Sequence, residues 1–221
     1  MAWVVAAALT AMSFLALTAT AAPRPPCAAP KGIVPAVPES MCSSVVVHKN
    51  ASTGVEVRSY GSPSSEVLVT DLTPSNFAYG DVLNISVSNI LLYLELANSA
   101  GKDILANRTV PITVRPPPGA DGWLVSMMVS TAAFPDPALV PTPNNFEMHL
   151  EPMRERLFAA LAFKTASLPS EAEFKARCAE LAQGLPPGYS VLEDGWSPTY
   201  ALYSPRDATL WTSECWLQVK A

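Results

Sequence analysis

Apolar positions follow a helical period in two stretches of this chain and alternate, strand-like, in several others. Over Asp81–Asn98, the residues Leu83, Val87, Ile90, Leu91 and Leu94 fall three or four apart. Asn84, Ser88 and Glu95 take the opposite side, which predicts a helix stopped by Gly101. A second helix is expected after Ser170, which with Glu173 forms a capping box. Phe174, Cys178, Leu181, Ala182 and Leu185 share its apolar face, and Gly184 stops it. Strands are expected at Val45–Lys49, Val55–Tyr60, Glu66–Leu72, Thr109–Arg115, Trp123–Thr131, Phe146–Glu151, Arg156–Lys164, Thr199–Tyr203 and Thr212–Lys220. Asn50–Gly54 reads as the turn of the first hairpin. In Phe146–Glu151, Phe146, Met148 and Leu150 alternate with Glu147, His149 and Glu151; in the last strand Cys215, Leu217 and Val219 point one way. Strands in runs, interrupted by two long helices, imply an α+β domain with a mainly antiparallel sheet rather than an alternating βαβ chain.

The first 22 residues break this pattern. They are apolar and uncharged from Ala2 to Ala22, and Ala19-Thr20-Ala21 has the small-x-small form of a signal-peptidase site. The expected organisation is a leader over 1–21, a Pro/Ala-rich arm over 22–42 and one domain over 43–221, with no stable membrane span once the leader is removed. Export suits the four cysteines and the three sequons at Asn50, Asn84 and Asn107, each a candidate glycosylation site. The expected location is therefore outside the cell or in a secretory or organelle lumen, and the absence of a KDEL-type ending favours onward export. Cys178 on the second helix's apolar face and Cys215 on the apolar face of the last strand form a bridge if helix and strand pack together. The alternative is two separate buried thiols. Cys27 and Cys42 are the second candidate pair, stapling the arm. A net charge of -5 on 221 residues disfavours nucleic acid and anionic membranes as main partners.

Chemistry-bearing residues are scattered. There is no nucleophile motif, no metal-ligand spacing and no phosphate loop, so no enzymatic constellation is expected. His48 and His149 lie on strands and read as solvated. Met127 and Met128 alternate faces, placing at least one in the core. Trp196, Trp211 and Trp216, with Tyr200 and Tyr203, are a ring platform or, more simply, packing.

Five short runs carry a resemblance. Val55-Glu56-Val57-Arg58-Ser59-Tyr60, then Leu92-Tyr93-Leu94 with Asn98, then Thr109-Val110-Pro111-Ile112 follow in order. Pro141-x-Pro143-Asn144 and Tyr203-x-Pro205 followed by Glu214 complete the series. In order and spacing the chain resembles the SOUL/heme-binding protein family over about Val45 to Val219. It departs from the family pattern at Leu96, Arg108, Ser213 and Cys215.

The resemblance implies a curved, mainly antiparallel, barrel-like sheet with two long helices packed on it, as in small-molecule effector-binding domains of the same fold. It implies a non-enzymatic protein that binds heme or a related tetrapyrrole through a shallow apolar site near the first helix, for capture, buffering or transport. Leu83, Val87, Ile90, Leu91 and Leu94 are then the candidate ligand wall, although packing on the sheet is the simpler reading of most of them. Arg108 is a candidate propionate partner or a plain surface residue. Two alternatives stand beside this reading: an interaction protein that keeps the fold without tetrapyrrole binding, and a carrier of another apolar, lipid-like ligand.

Overall fold

The computed structural model describes residues 45–60, 67–104, 111–116, 122–129, 134, 136–193, 196–203 and 211–221. The strands are β1 (Val45–Lys49), β2 (Glu56–Tyr60), β3 (Val67–Thr73), β4 (Ile112–Arg115), β5 (Trp123–Val129), β6 (Met148–Pro152), β7 (Arg156–Thr165), β8 (Ser190–Val191), β9 (Thr199–Tyr203) and β10 (Trp211–Lys220). They form one sheet in the order β1-β2-β7-β10-β9-β4-β5-β3-β6, with β8 paired to the end of β10. Every pairing is antiparallel. The sheet is curved but not closed, so the fold is the expected α+β type with two free edges among the described strands, at β1 and β6.

The two helices are α1 (Tyr79–Glu95) and α2 (Glu171–Gln183). Strand register sorts the side chains into two layers. Val57, Val69, Val125, Met127, Val114, Tyr200, Leu161, Leu217 and Val219 join the helices' inner faces in the larger core. Tyr60, Leu68, Met128, Phe158, Ala201, Tyr203 and Trp216 form a second core on the side away from the helices. Both methionines are thus buried, one in each core. Central strands buried on both sides explain why β10 carries almost no exposed position.

Helix α2 follows the expected capping logic. The Ser170 hydroxyl accepts from the Glu173 backbone N–H, and the Glu173 carboxylate accepts from the Ser170 backbone N–H at 2.7 Å. Phe174, Cys178 and Leu181 are buried, whereas Ala182 is exposed and Leu185 only half-buried beyond the helix end. Cys178 and Cys215 are bridged, with Cα atoms 5.4 Å apart, so α2 is covalently tied to the central strand. Cys27 and Cys42 lie outside the described residues.

Two expectations are corrected, and one strand is additional. Helix α1 begins at Tyr79 and ends at Glu95, not at Asn98, because the Asn98 side chain takes over the helix end, as described below. Phe146 is not in a strand: β6 starts at Met148, and Phe146 stands 95% exposed in the turn before it. The cause is Asn145, whose side chain accepts from the Glu147 N–H and whose carbonyl accepts from the Met148 N–H. The short strand β8 carries no sequence signal at all.

At one point the fold requires glycine. Gly122, at the start of β5, has φ 108°, and a Cβ there would lie 2.6 Å from the Thr73 carbonyl oxygen.

Candidate functional site

Two clusters gather residues from the five sequence runs. The first lies on the sheet face away from the helices. Arg58 on β2 and Glu214 on β10 form a two-pronged ion pair, with both N–O distances 2.9 Å. Glu214 is fully buried and accepts further hydrogen bonds from the Tyr203 hydroxyl at 2.9 Å and the Trp216 indole at 2.7 Å. Glu56 binds Arg58 from the other side at 2.8 Å and reaches Lys49 at 2.7 Å. Burial works against the Arg58 charge, but the Glu214 carboxylate outweighs it and holds the guanidinium firmly protonated. Burial also raises Glu56, and Lys49 and Arg58 together more than reverse that, leaving its carboxyl below the usual range. Tyr203 is pushed well up, first by burial and then by Glu214. Each charge is paired and hydrogen-bonded, so this cluster joins the first hairpin to the last strand and offers no open group to a ligand.

The second cluster ends α1. The Asn98 amide donates to the Tyr93 and Lys102 carbonyls at 2.9 and 2.8 Å, and its oxygen accepts from the Ala100 and Lys102 N–H groups. The Tyr93 hydroxyl donates to the Pro141 carbonyl at 2.8 Å. Ser99 N–H bonds the Thr142 carbonyl, and Asn144 N–H bonds the Ala97 carbonyl. Tyr93, Asn98 and the Pro141–Asn144 run are therefore one clasp between helix end and loop. Burial raises the Tyr93 phenol to about 12.

The expected ligand wall divides. Leu83, Ile90 and Leu94 are buried in the core, where they pack the helix on the sheet. Val87 and Leu91 are half-buried at the edge of the packed face and present apolar surface. The Asn89 side chain and the Thr73–Ser86 hydroxyl pair, 2.7 Å apart, fix α1 to β3 through Asp71 and Thr73. Sequence reading missed the exposed side of this helix, where Ile85 and Leu92 are apolar and Leu96 follows at the cap, 38%, 55% and 63% exposed. A count of i, i+7 and i+11 could have found them, but the larger inner stripe masks the weaker outer one.

The other candidates sit apart from α1. His48 is exposed on β1, its ring 6.2 Å from that of Tyr189, and His149 is exposed on β6. Trp216 serves the Glu214 cluster and Tyr200 packs on Phe174 at 4.6 Å. Trp196 lies against the guanidinium groups of Arg115 and Arg156, 3.9 and 4.2 Å from its ring centre. That pairing had no sequence signal. Trp211 is half-buried at the start of β10. Arg108 and Asn107 lie outside the described residues. Asn84 is exposed on α1, and Asn50 is half-buried in the first turn, where its oxygen accepts from Ser52. A cleft beside α2 is lined by Phe163, Thr165, Glu173, Ala176, Arg177 and Glu180.

Among the described residues, no three His, Cys, Asp or Glu side chains converge as a metal site. None of the described helices is long and apolar enough to cross a membrane. At the edge of α1, Val87 and Leu91 supply apolar contact, and neither histidine belongs to that helix. These two aliphatic side chains offer no iron ligand, so a tetrapyrrole at this edge would be held through its macrocycle alone.

A curved antiparallel sheet is backed by two helices, with the Arg58–Glu214 and Arg115–Glu151 charges paired and apolar side chains exposed on one helix. The chain belongs to the SOUL heme-binding protein family, whose model matches residues 41–218. No curated protein matches it. Among solved structures it is similar to the EcmrR C-terminal domain, with 11% identity and a TM-score of 0.44, covering 75% of this chain and 96% of that one. An EcmrR–DNA complex matches with 11% identity and a TM-score of 0.45, covering 75% of this chain and 57% of that one. A hydrolase from Listeria innocua matches with 11% identity and a TM-score of 0.40, covering 74% and 91%.

Proposed function

We propose that this protein is an exported carrier that captures, buffers or transports heme or a related tetrapyrrole, without turnover, through a shallow apolar site on the edge of α1. The observation that carries this reading is the family match over residues 41–218, joined to the half-buried pair Val87 and Leu91 on α1. The Cys178–Cys215 bridge supports export, since such bonds persist in oxidising compartments. Heme would supply a flat apolar macrocycle for contact with Val87 and Leu91, and the protein's part is to present and shield that contact.

The test is hemin titration followed at the Soret band, with heat-denatured protein as the control for adsorption. Saturable binding to folded protein is expected, and Leu91→Asp weakens it while the far-ultraviolet circular dichroism stays native. A Soret change that never saturates, or one equal in folded and denatured protein, overturns the proposal.

A further inference from the structure

The outer side of α1 carries a second apolar surface, separate from the edge assigned to the tetrapyrrole. Ile85, Leu92 and Leu96 recur at i, i+7 and i+11, with Asn89 between them at i+4. This spacing forms a single ridge along a helix. Phe146 belongs to the same region: the Pro141–Asn144 run before it is clasped to the end of α1, and β6 after it continues the β3 register, with Leu72 N–H bonded to the Glu147 carbonyl at 3.1 Å. Leaving a phenylalanine 95% exposed on a turn held by its own hydrogen bonds is not a packing requirement.

The charges beside this ridge decide what fits it. Asp81 lies one turn before Ile85, Glu95 lies three residues after Leu92, and Glu147 follows Phe146; all three are exposed. Helix α1 contains no Lys or Arg, and the nearest in sequence, Lys102, has Asp103 at its side. Among the described residues that flank the ridge on α1 and at the Phe146 turn, a dianionic tetrapyrrole meets only like charge. A second copy of the ridge would bring Asp81 and Glu95 of one helix towards acidic residues of the other. An apolar row with acidic borders suits a partner helix with apolar residues at three- and four-residue spacing and Lys or Arg on its flanks.

We infer that the ridge of Ile85, Leu92 and Leu96, with Phe146 beside it, is a docking surface for a basic amphipathic helix of a protein partner. The surface is distinct from the tetrapyrrole edge, so the two can be occupied independently.

The probe is a fluorescent model peptide of about 18 residues, long enough for a helix to form on contact, with Leu at i, i+3, i+4 and i+7 and Lys elsewhere. Its partner control replaces every Lys by Glu. The Lys peptide is expected to bind saturably, more weakly as salt rises, and at least about tenfold more tightly than the Glu peptide. Leu92→Glu weakens it about tenfold and Glu95→Lys by a smaller factor, both proteins keeping native circular dichroism since both positions are exposed. Hemin binding is unchanged by Leu92→Glu. Equal binding of the Lys and Glu peptides, or indifference to Leu92→Glu, overturns the inference. So does loss of hemin binding in Leu92→Glu, which would assign the ridge to the tetrapyrrole. A wild-type dimer that Leu92→Glu dissociates would place a second copy there and overturn it as well. Peptide binding by a protein that fails to take up hemin leaves this inference standing and removes the tetrapyrrole reading alone.

Discussion

The two helices lie on the same face of one sheet and are built differently. Helix α2 has a full capping box, ion pairs Lys175–Glu171 and Arg177–Glu180 on its surface, and a disulfide to β10. Its outer side is polar and its place is fixed covalently. Helix α1 has no side-chain cap at Ala78, no basic residue, and apolar residues on its outer as well as its inner side. It is held by what lies beneath and beyond it: Thr73, Asp71 and the Asn98 clasp. A helix of this composition gains little from its own surface, and Leu92 and Leu96 leave more than half of theirs exposed. On the function proposed above, the contrast gives α2 the part of support and α1 that of binding.

The largest expected effect falls on the sheet that both helices share. Arg58→Met leaves Glu214 buried without its counter-charge and costs about 3–5 kcal/mol in chemical denaturation. Adding Glu214→Leu recovers much of that loss; if the double variant is no more stable than the single, the pair is not what the cluster depends on.

Next comes the disulfide. Removing the Cys178–Cys215 bridge by a double Ala substitution costs about 3–4 kcal/mol, from the separation of 37 residues it closes. Hemin binding at α1 should persist below the lowered melting temperature; its loss in the folded variant would show that α2 takes part in binding. Gly122→Ala, which places a Cβ against the Thr73 carbonyl at positive φ, costs about 2–3 kcal/mol in the same denaturation assay.

A pair of leucines sharpens the contrast within α1 itself. Leu94→Ala empties a core position and costs about 2–5 kcal/mol, whereas Leu92→Ala stays within about 0.5 kcal/mol. Similar losses from both would mean that the outer ridge is structural.

The smallest effects concern pH. Burial raises Tyr79 and Tyr200, and also Tyr93 to about 12. Groups raised on folding lend stability that is complete below the ordinary tyrosine range, near pH 10, and is lost as pH rises through the folded values. The tyrosinate absorbance of Tyr79, Tyr93 and Tyr200 should therefore appear in one step with alkaline unfolding, and ionisation of these three in the folded protein would contradict it. Glu56 is depressed, so its contribution is present above the usual carboxylate range and fades as pH falls through its folded value. Among the described residues the buried hydroxyls of Tyr79 and Tyr200 have no hydrogen-bond partner. Tyr200→Phe is accordingly neutral or slightly stabilising.

What was legible in the sequence was local. The Ser170–Glu173 cap, the Asn50–Gly54 turn and the alternation of Cys215, Leu217 and Val219 each declare themselves within a few residues. The Cys178–Cys215 bridge needed only the two apolar faces that contain them. Arg58 and Glu214 were visible as parts of separate runs, but not as a pair, because 156 residues part them and nothing local to either marks the other. The end of α1 was misread because Asn98 acts through its side chain on both helix and loop, which periodicity does not register. Phe146 was misread because alternation continues through Met148 and Leu150 while the Asn145 turn breaks the strand before them. The division of the candidate wall was illegible for a related reason: one apolar stripe on a helix does not distinguish the part facing the sheet, at Leu83, Ile90 and Leu94, from the part left at its edge, at Val87 and Leu91.

The account's central claim, that α1 binds a tetrapyrrole and α2 supports the fold, is tested most directly by amide chemical shifts. Isotope-labelled protein is titrated with zinc protoporphyrin, a diamagnetic probe. Saturable shifts are expected at Val87, Leu91 and their helical neighbours, with none along α2. Shifts concentrated on α2 around Ala176, Arg177 and Glu180, or an unchanged spectrum at saturating ligand, would contradict it.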